Sequence, residues 1–343
     1  MAAVNAFFPP GTVRWLPVRQ GRALSDCTVV KKGAAGMVSQ FGFAPLPEPG
    51  QPVIPDFPGE FGPAGGRDVF FRSTPSLPGA KRQAVFVHGL GGSSTNWTDL
   101  MYALAPVAHG VALDLPGFGR SEPPDNGDYS QAEFARLVTD FVQRNATMPV
   151  DLFGNSLGGA VATRVAATRP DLVASVTLIS PALPDARPRL SIAPVVALAA
   201  PGVHNLSGFA MRATPTRAVD HMLGLCFADP STVDPSRREA EIAQVRRLMD
   251  RPNSGAPLRH SALGLAKSFL PNTADYSWTF ASKIHTPTLV VFGARDKLVN
   301  PRLASKAAQV FPNARVVVLP TGHVAQMEHP HLVLDLLAQL WGE

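Results

Sequence analysis

The sequence is poor in cysteine and in charge, and each shortage excludes something. Two cysteines among 343 residues, Cys27 and Cys226, cannot build a disulfide framework or a four-cysteine zinc site. Their wide separation favours two inert buried thiols over a bridge. Charged residues make up only 17%, hydrophobic residues 45%, and the mean hydropathy is +0.07, which excludes an intrinsically disordered chain. The net charge of +5 is spread along the chain without a basic run, so it gives no footprint for nucleic acid. Long apolar runs are also missing. The longest uncharged stretch, from Ser191 to Val203, contains two prolines and is too short to cross a bilayer. The first ten residues carry no basic cluster and no unbroken apolar segment of the kind a secretory signal needs, and a cytoplasmic location is expected.

Proline is abundant: 34 residues, with 29 glycines. Seven of the prolines fall between Pro45 and Pro63, where they remove backbone donors and oppose both helix and central strand. Residues 1–66 are therefore expected to form an extended arm, with one short strand at Cys27–Lys31. From Arg67 onward, short β-branched runs alternate with amphipathic segments, the pattern of βαβ units and a mostly parallel sheet. Strands are expected at Val69–Phe71, Ala84–Val87, Val111–Leu113, Val150–Phe153, Val176–Ile179, Thr288–Phe292 and Arg315–Leu319. Helices are expected at Gln131–Asn145 and Leu332–Trp341. Between about Leu183 and Lys283 the alternation stops and only helical patterns with scattered proline remain. An all-helical insertion over 183–283, within an α/β core of 67–182 and 284–343, is the simplest organisation.

The stretch from Val150 to Gly159 carries the chemistry. It is a strand running into Gly154-Asn-Ser-Leu-Gly-Gly159 and then a small-residue helix. A serine on a sharp strand-to-helix turn needs neighbours without side chains two residues away on both sides, which Gly154 and Gly158 supply. Ser156 needs a base to accept its proton. Of nine histidines, His323 follows a strand across a short Gly-containing turn, on the edge where a parallel sheet would also present Ser156. His329 and His331 flank Pro330 at the start of the closing helix and read as capping residues; His204, His221 and His260 lie in the insertion. An acid must hold the base, and Asp296 follows the strand Thr288–Phe292 on the same edge. The rival position, after Val176–Ile179, offers Ser180-Pro-Ala and no carboxylate before Asp185. Arg295 and Lys297 beside Asp296 could instead mark an ordinary ion-paired loop. The strand Ala84–Val87 runs into His88-Gly-Leu-Gly-Gly92, whose Leu90 amide can face the Leu157 amide as an oxyanion site; Gly89 and Gly91 keep that loop narrow. His88 reads as a loop-orienting residue. No Lys-Ser/Thr follows this glycine loop, which excludes a nucleotide-phosphate cradle.

With five motifs in order, the chain resembles the α/β-hydrolase superfamily over residues 67–343. They are His88-Gly-Leu-Gly-Gly92, Asp114-Leu-Pro-Gly-Phe-Gly-Arg-Ser121, Gly154–Gly159, Gly293-Ala-Arg-Asp296 and Gly322-His323. The resemblance implies a sheet of about eight strands, a helical cap over the site, and hydrolysis through an acyl-enzyme with no metal or organic cofactor. It makes Asp114–Ser121 a structural loop. Epoxide hydrolases and haloalkane dehalogenases in this superfamily use an aspartate where this chain has Ser156. The elbow also resembles that of carbon–carbon bond hydrolases of ring-cleavage products, although Gly89-Leu-Gly-Gly lacks their Gly-Pro-Gly. Aminopeptidase relatives hold a substrate ammonium with acidic residues, whereas Glu239 and Glu241 sit in an Arg-rich helix and read as a solvated face. The reading is a serine esterase for a carboxylic ester with a fairly apolar acyl or alcohol part, with Ile192–Val203 a pocket wall, a lid or an ordinary buried cap helix. A non-catalytic receptor of the same fold is the alternative from another class.

Overall fold

The computed structural model describes residues 14–16, 41–48, 51–186, 214–251 and 253–342. The strands are β1 (Arg14–Leu16), β2 (Gly59–Ala64), β3 (Arg67–Ser73), β4 (Arg82–Val87), β5 (Ala108–Leu113), β6 (Val150–Asn155), β7 (Val173–Ile179), β8 (Thr288–Gly293) and β9 (Ala314–Leu319). They form one sheet in the order β1-β9-β8-β7-β6-β4-β5-β3-β2. Strands β4 to β9 run parallel, while β3 is antiparallel to β5 and the outer pairs β2–β3 and β1–β9 are antiparallel. The seven strands expected from residue 67 onward are β3 to β9, and β2 and β1 at the two edges bring the sheet to nine, against the about eight that the resemblance implies. The helices are α1 (Thr98–Leu104), α2 (Gln131–Asn145), α3 (Leu157–Thr168), α4 (Pro215–Cys226), α5 (Pro235–Met249), α6 (Ala256–Lys267), α7 (Ser277–Ala281), α8 (Leu303–Val310), α9 (Ala325–Glu328) and α10 (Pro330–Trp341).

The central strands read as continuous apolar runs because both of their faces are covered. Side chains alternate across the sheet: Val85, Val87, Leu152 and Val290 pack with α2, α3 and α8, while Phe86, Phe153 and Val291 pack with α1 and α10. In α2, Phe134, Leu137, Val138, Phe141 and Val142 are all buried along one face, as their spacing predicts, and Ser130 caps the helix by accepting the Glu133 amide at 3.2 Å. At the opposite end of the sheet from the candidate site, Asp151 is held by Arg82 through two bonds of 2.7 Å and by the Ser175 hydroxyl at 2.6 Å.

Two readings of the N-terminal region change. The boundary expected at residue 66 cuts a hairpin, because β2 pairs with β3 from Gly59↔Arg72 to Ala64↔Arg67. Proline opposes central strands, but β2 is an edge strand, with no partner on its outer side among the described residues. Pro63 pairs with Asp68 there, and its missing N–H leaves no ladder bond broken if that side faces solvent. The strand expected at Cys27–Lys31 lies outside the described residues, as does the stretch Ile192–Val203. Within 183–283 the described residues hold α4 to α7 and no strand.

Candidate active site

Ser156, Asp296, His323 and Leu90 follow the C-terminal ends of β6, β8, β9 and β4. Parallel strands in register bring all four to one edge of the sheet. Ser156 sits between β6 and α3 with φ +53° and ψ −115°, a conformation sparsely populated for a residue with a Cβ. It is held there by three backbone bonds: its amide donates to Ile179 O at 3.1 Å, and its carbonyl accepts from Ala160 at 3.1 Å and Ala182 at 2.9 Å. Steric crowding does the rest. A side chain at Gly154 would strike the Gly158 carbonyl, and one at Gly158 would strike the carbonyls of Val87 and His88. From residue 150 to residue 163, Ser156 alone is not buried, so the turn raises this one side chain out of an otherwise closed core.

The acid and base positions meet by hydrogen bonding. His323 Nδ1 lies 2.9 Å from Asp296 Oδ2, and both residues are buried. The other carboxylate oxygen, Oδ1, accepts the amides of Leu298 at 2.8 Å and Val299 at 2.9 Å. Burial pushes the Asp296 carboxyl up, but the charge and hydrogen bond of His323 and the Val299 amide outweigh it and hold it below the usual carboxylate range. An ionised carboxylate only accepts, so a proton sits on Nδ1, and in the neutral ring Nε2 is the acceptor. Lys297 does not pair with Asp296. Its ammonium donates to the Gly224 carbonyl at 2.6 Å.

On the other side of Ser156, a Cβ at Gly89 would stand 3.1 Å from Ser156 Cβ, so the loop 88–92 runs directly past the serine. His88 is fully buried within it. Its Nε2 accepts the Leu115 amide at 2.9 Å, which places the proton on Nδ1 for donation to Gly89 O at 2.7 Å. Burial pushes its pKa down, so the ring stays neutral, and with both nitrogens engaged it is a strut between two loops. Asp114 braces the same region, accepting the Ser94 amide at 2.6 Å and the Arg120 amide at 2.8 Å, while Ser121 Oγ donates to Asp114 O at 2.7 Å. Leu157 opens α3, where the first N–H groups have no partner within the helix. Gly91, at φ +78°, lies 3.4 Å from Leu258 Cδ2 of α6 when given a Cβ, so the helical segment closes over this loop.

The other histidines weighed as bases do not join this group among the described residues. His329 and His331 face each other edge-on at 5.5 Å at the start of α10, His260 packs against Tyr129, His221 is exposed, and His204 lies outside the described residues. Cys226 is a free thiol pushed up to about 12 by burial and by the negative charges of Asp296 and Glu328, which keeps it unreactive; Cys27 lies outside the described residues. Among the described residues no group of His, Cys, Asp and Glu side chains could hold a metal ion, and no helix is long and apolar enough to cross a membrane.

Two residues were not visible as site components in the sequence. Asn155 is buried, and its Nδ2 donates to both Ile179 O at 3.0 Å and His323 O at 3.1 Å, tying the serine turn to the histidine loop. Its place immediately before the elbow serine was the available signal. Glu241 on α5 is half-buried, where a solvated face was expected, while Glu239 is exposed. Burial, then the charge of Asp56, push the Glu241 carboxyl up to about 7, against a hydrogen bond with Thr95.

The chain belongs to the alpha/beta hydrolase fold family, which matches residues 85–330. It is 32% identical over 71% of its length to the dihydrolipoyllysine-residue acetyltransferase component of an acetoin cleaving system from Pseudomonas putida, and spans 59% of that relative's length. A pimeloyl-[acyl-carrier protein] methyl ester esterase from Neisseria meningitidis is 29% identical, with 75% of this chain and 93% of the relative aligned. Among solved structures, a 2-hydroxy-6-oxo-6-phenylhexa-2,4-dienoate hydrolase from Rhodococcus superposes with a TM-score of 0.66 at 19% identity, over 83% of this chain and all of the other.

Proposed function

We propose that the protein is a serine hydrolase that cleaves a carboxylic ester with a fairly apolar acyl or alcohol part through an acyl-enzyme, with Ser156 as nucleophile, His323 as base and Asp296 as the orienting acid. The observation that carries this reading is the buried 2.9 Å contact between His323 and Asp296 on the sheet edge that also raises Ser156. The relative named as a methyl ester esterase supports ester cleavage, since its alignment runs through almost its whole length.

In this reading Ser156 Oγ attacks the ester carbonyl while His323 Nε2 takes the hydroxyl proton, and Asp296 stabilises the imidazolium that forms. The Leu90 and Leu157 amides hold the oxyanion of the tetrahedral intermediate. His323 then returns the proton to the departing alkoxide, and the alcohol leaves. A water attacks the acyl-enzyme with His323 again as base, and the acid is released as Ser156 regains its proton. In this reading helices α4 to α7 belong to the cap above these groups, and strands β2 to β9 with the helices between them form the catalytic core.

The test is active-site labelling. A fluorophosphonate should modify Ser156 stoichiometrically, and Ser156→Ala should abolish labelling and lower kcat on aryl esters by about 10⁴-fold or more. Folded protein that is not labelled and does not turn over any aryl ester would sink the reading in favour of a non-catalytic hydrolase fold. Faster turnover of a ring-cleavage dienoate than of any ester would replace ester by carbon–carbon bond hydrolysis at the same three residues.

A further inference from the structure

We propose that Glu328 is a positioning residue for the reaction, clamping the His323 loop to the end of cap helix α4. The inference rests on the triad reading above, and concerns what holds the base in place. Glu328 closes α9, five residues after His323. Its two carboxylate oxygens serve two different parts of the protein. Oε1 accepts the amide of Gly322, the residue before His323, at 2.7 Å; Oε2 accepts the amide of Ala228, two residues past α4, at 2.9 Å. One side chain thus bridges the histidine loop and the cap through backbone groups on both sides.

Further bonds act at the same corner. The His323 amide donates to the Cys226 carbonyl at 2.6 Å, and the Lys297 ammonium, one residue after Asp296, donates to the Gly224 carbonyl at 2.6 Å. The C-terminal carbonyls of α4 carry the negative end of the helix dipole and have no partner further along the helix, so an N–H and a cation are the groups they favour. Gly322 is packed so closely that a Cβ would meet the Ala228 nitrogen at 2.6 Å and Glu328 Oε1 at 2.7 Å. On the sheet side, Asn155 holds the His323 carbonyl. The backbone of His323 is therefore gripped at its N–H from the cap and at its C=O from the nucleophile turn. Glu328 fixes the residue next to it. Such a clamp converts the docking of the cap end into the reach of the imidazole.

The experiment compares Glu328→Ala and Glu328→Gln in the full chain. The readouts are thermal unfolding, kcat and KM on a p-nitrophenyl ester, the rate of fluorophosphonate labelling, and the low-field proton resonance of His323 Nδ1–H. The alanine variant should lower kcat and the labelling rate together by about 10- to 100-fold while KM changes less than about threefold, the scale expected when a reacting group is misplaced by an ångström or less. The low-field resonance should broaden or disappear. Glutamine keeps one acceptor oxygen but turns an amide N–H toward the other backbone N–H, so it should recover part of the loss. A folded Glu328→Ala protein with kcat and labelling rate within twofold of the unsubstituted chain would overturn the proposal. So would a rise in KM alone, which would make Glu328 a pocket-shaping residue. If the alanine variant does not fold, the folded glutamine variant decides on the same criteria. Failure of the unsubstituted protein to label at Ser156 is a separate result and would strike the triad reading.

Discussion

The two halves of the candidate site are held in different ways. The nucleophile side, at β4 and β6, is held by the absence of space: Gly154 and Gly158 lie against backbone carbonyls, and Ser156 is strained between a strand and a helix. The acid–base side, at β8 and β9, is held mainly by directed hydrogen bonds: two amides on Asp296, one carboxylate contact to His323, and the ties of Asn155, Glu328 and Cys226. Steric confinement is all-or-none, because backbone cannot retreat by an ångström within a packed sheet. Hydrogen bonds can be removed one at a time. In the proposed mechanism the half that presents the Ser156 oxygen is sterically locked, and the half that exchanges protons is adjustable.

Substitutions should separate these two behaviours. Gly158→Ala places a methyl group into the Val87 and His88 carbonyls, and should cost about 3 kcal/mol or prevent folding, read by urea unfolding. An alanine variant that folds with normal stability would show that the elbow is not sterically locked. Asp296→Asn on the adjustable side should leave a folded protein with kcat lower by about 10³- to 10⁴-fold, because the amide no longer fixes the imidazole tautomer. Asp296 is held below its unfolded pKa, so it contributes stability above the ordinary carboxylate range, and this is lost as pH falls through the folded value. The asparagine variant should therefore show a shallower loss of Tm on acidification from about pH 5 downward.

Asn155→Ala removes the donor that joins the two halves, leaving the carbonyls of Ile179 and His323 without it. A stability loss of about 1 to 3 kcal/mol is expected, with a fall in kcat smaller than that of Asp296→Asn. If kcat does not move, the two halves are positioned independently. Glu241 tests the cap side. Its carboxyl is raised to about 7, so ionisation disfavours the fold, and stability declines as pH rises from the unfolded value toward 7. Glu241→Gln should raise stability at pH 8 by roughly 3 kcal/mol at most, with the gain shrinking toward pH 5, measured as Tm across that range. A pH-independent effect would mean that packing, and not ionisation, governs this position.

The difference between the halves also explains which parts were readable in advance. Strands β3 to β9 and helices α2 and α10 fall within a few residues of their expected positions, because hydrophobic periodicity is local information. The elbow glycines were legible for the same reason, since close approach demands a residue without a side chain. Asn155, Glu328 and Glu241 were not: an amide or carboxylate reads the same whether it meets water or a backbone N–H far along the chain. The pairing of Glu328 with Ala228 spans 100 residues, and that of Asn155 with His323 spans 168. The β2 strand was missed because proline argues against strands in general, and only its place at the sheet edge makes it acceptable.

By itself, then, the sequence determined the element order, the parallel sheet, the serine turn and the three residue types at strand ends, because each depends on neighbours a few positions away. Only the tertiary structure decided which oxygen of Asp296 faces His323, that His88 is a strut with both nitrogens engaged, and that the end of α4 holds the His323 backbone. Those depend on hydrogen-bond partners brought together by the crossing of the chain, and geometry at the scale of 3 Å exists only once the sheet has closed.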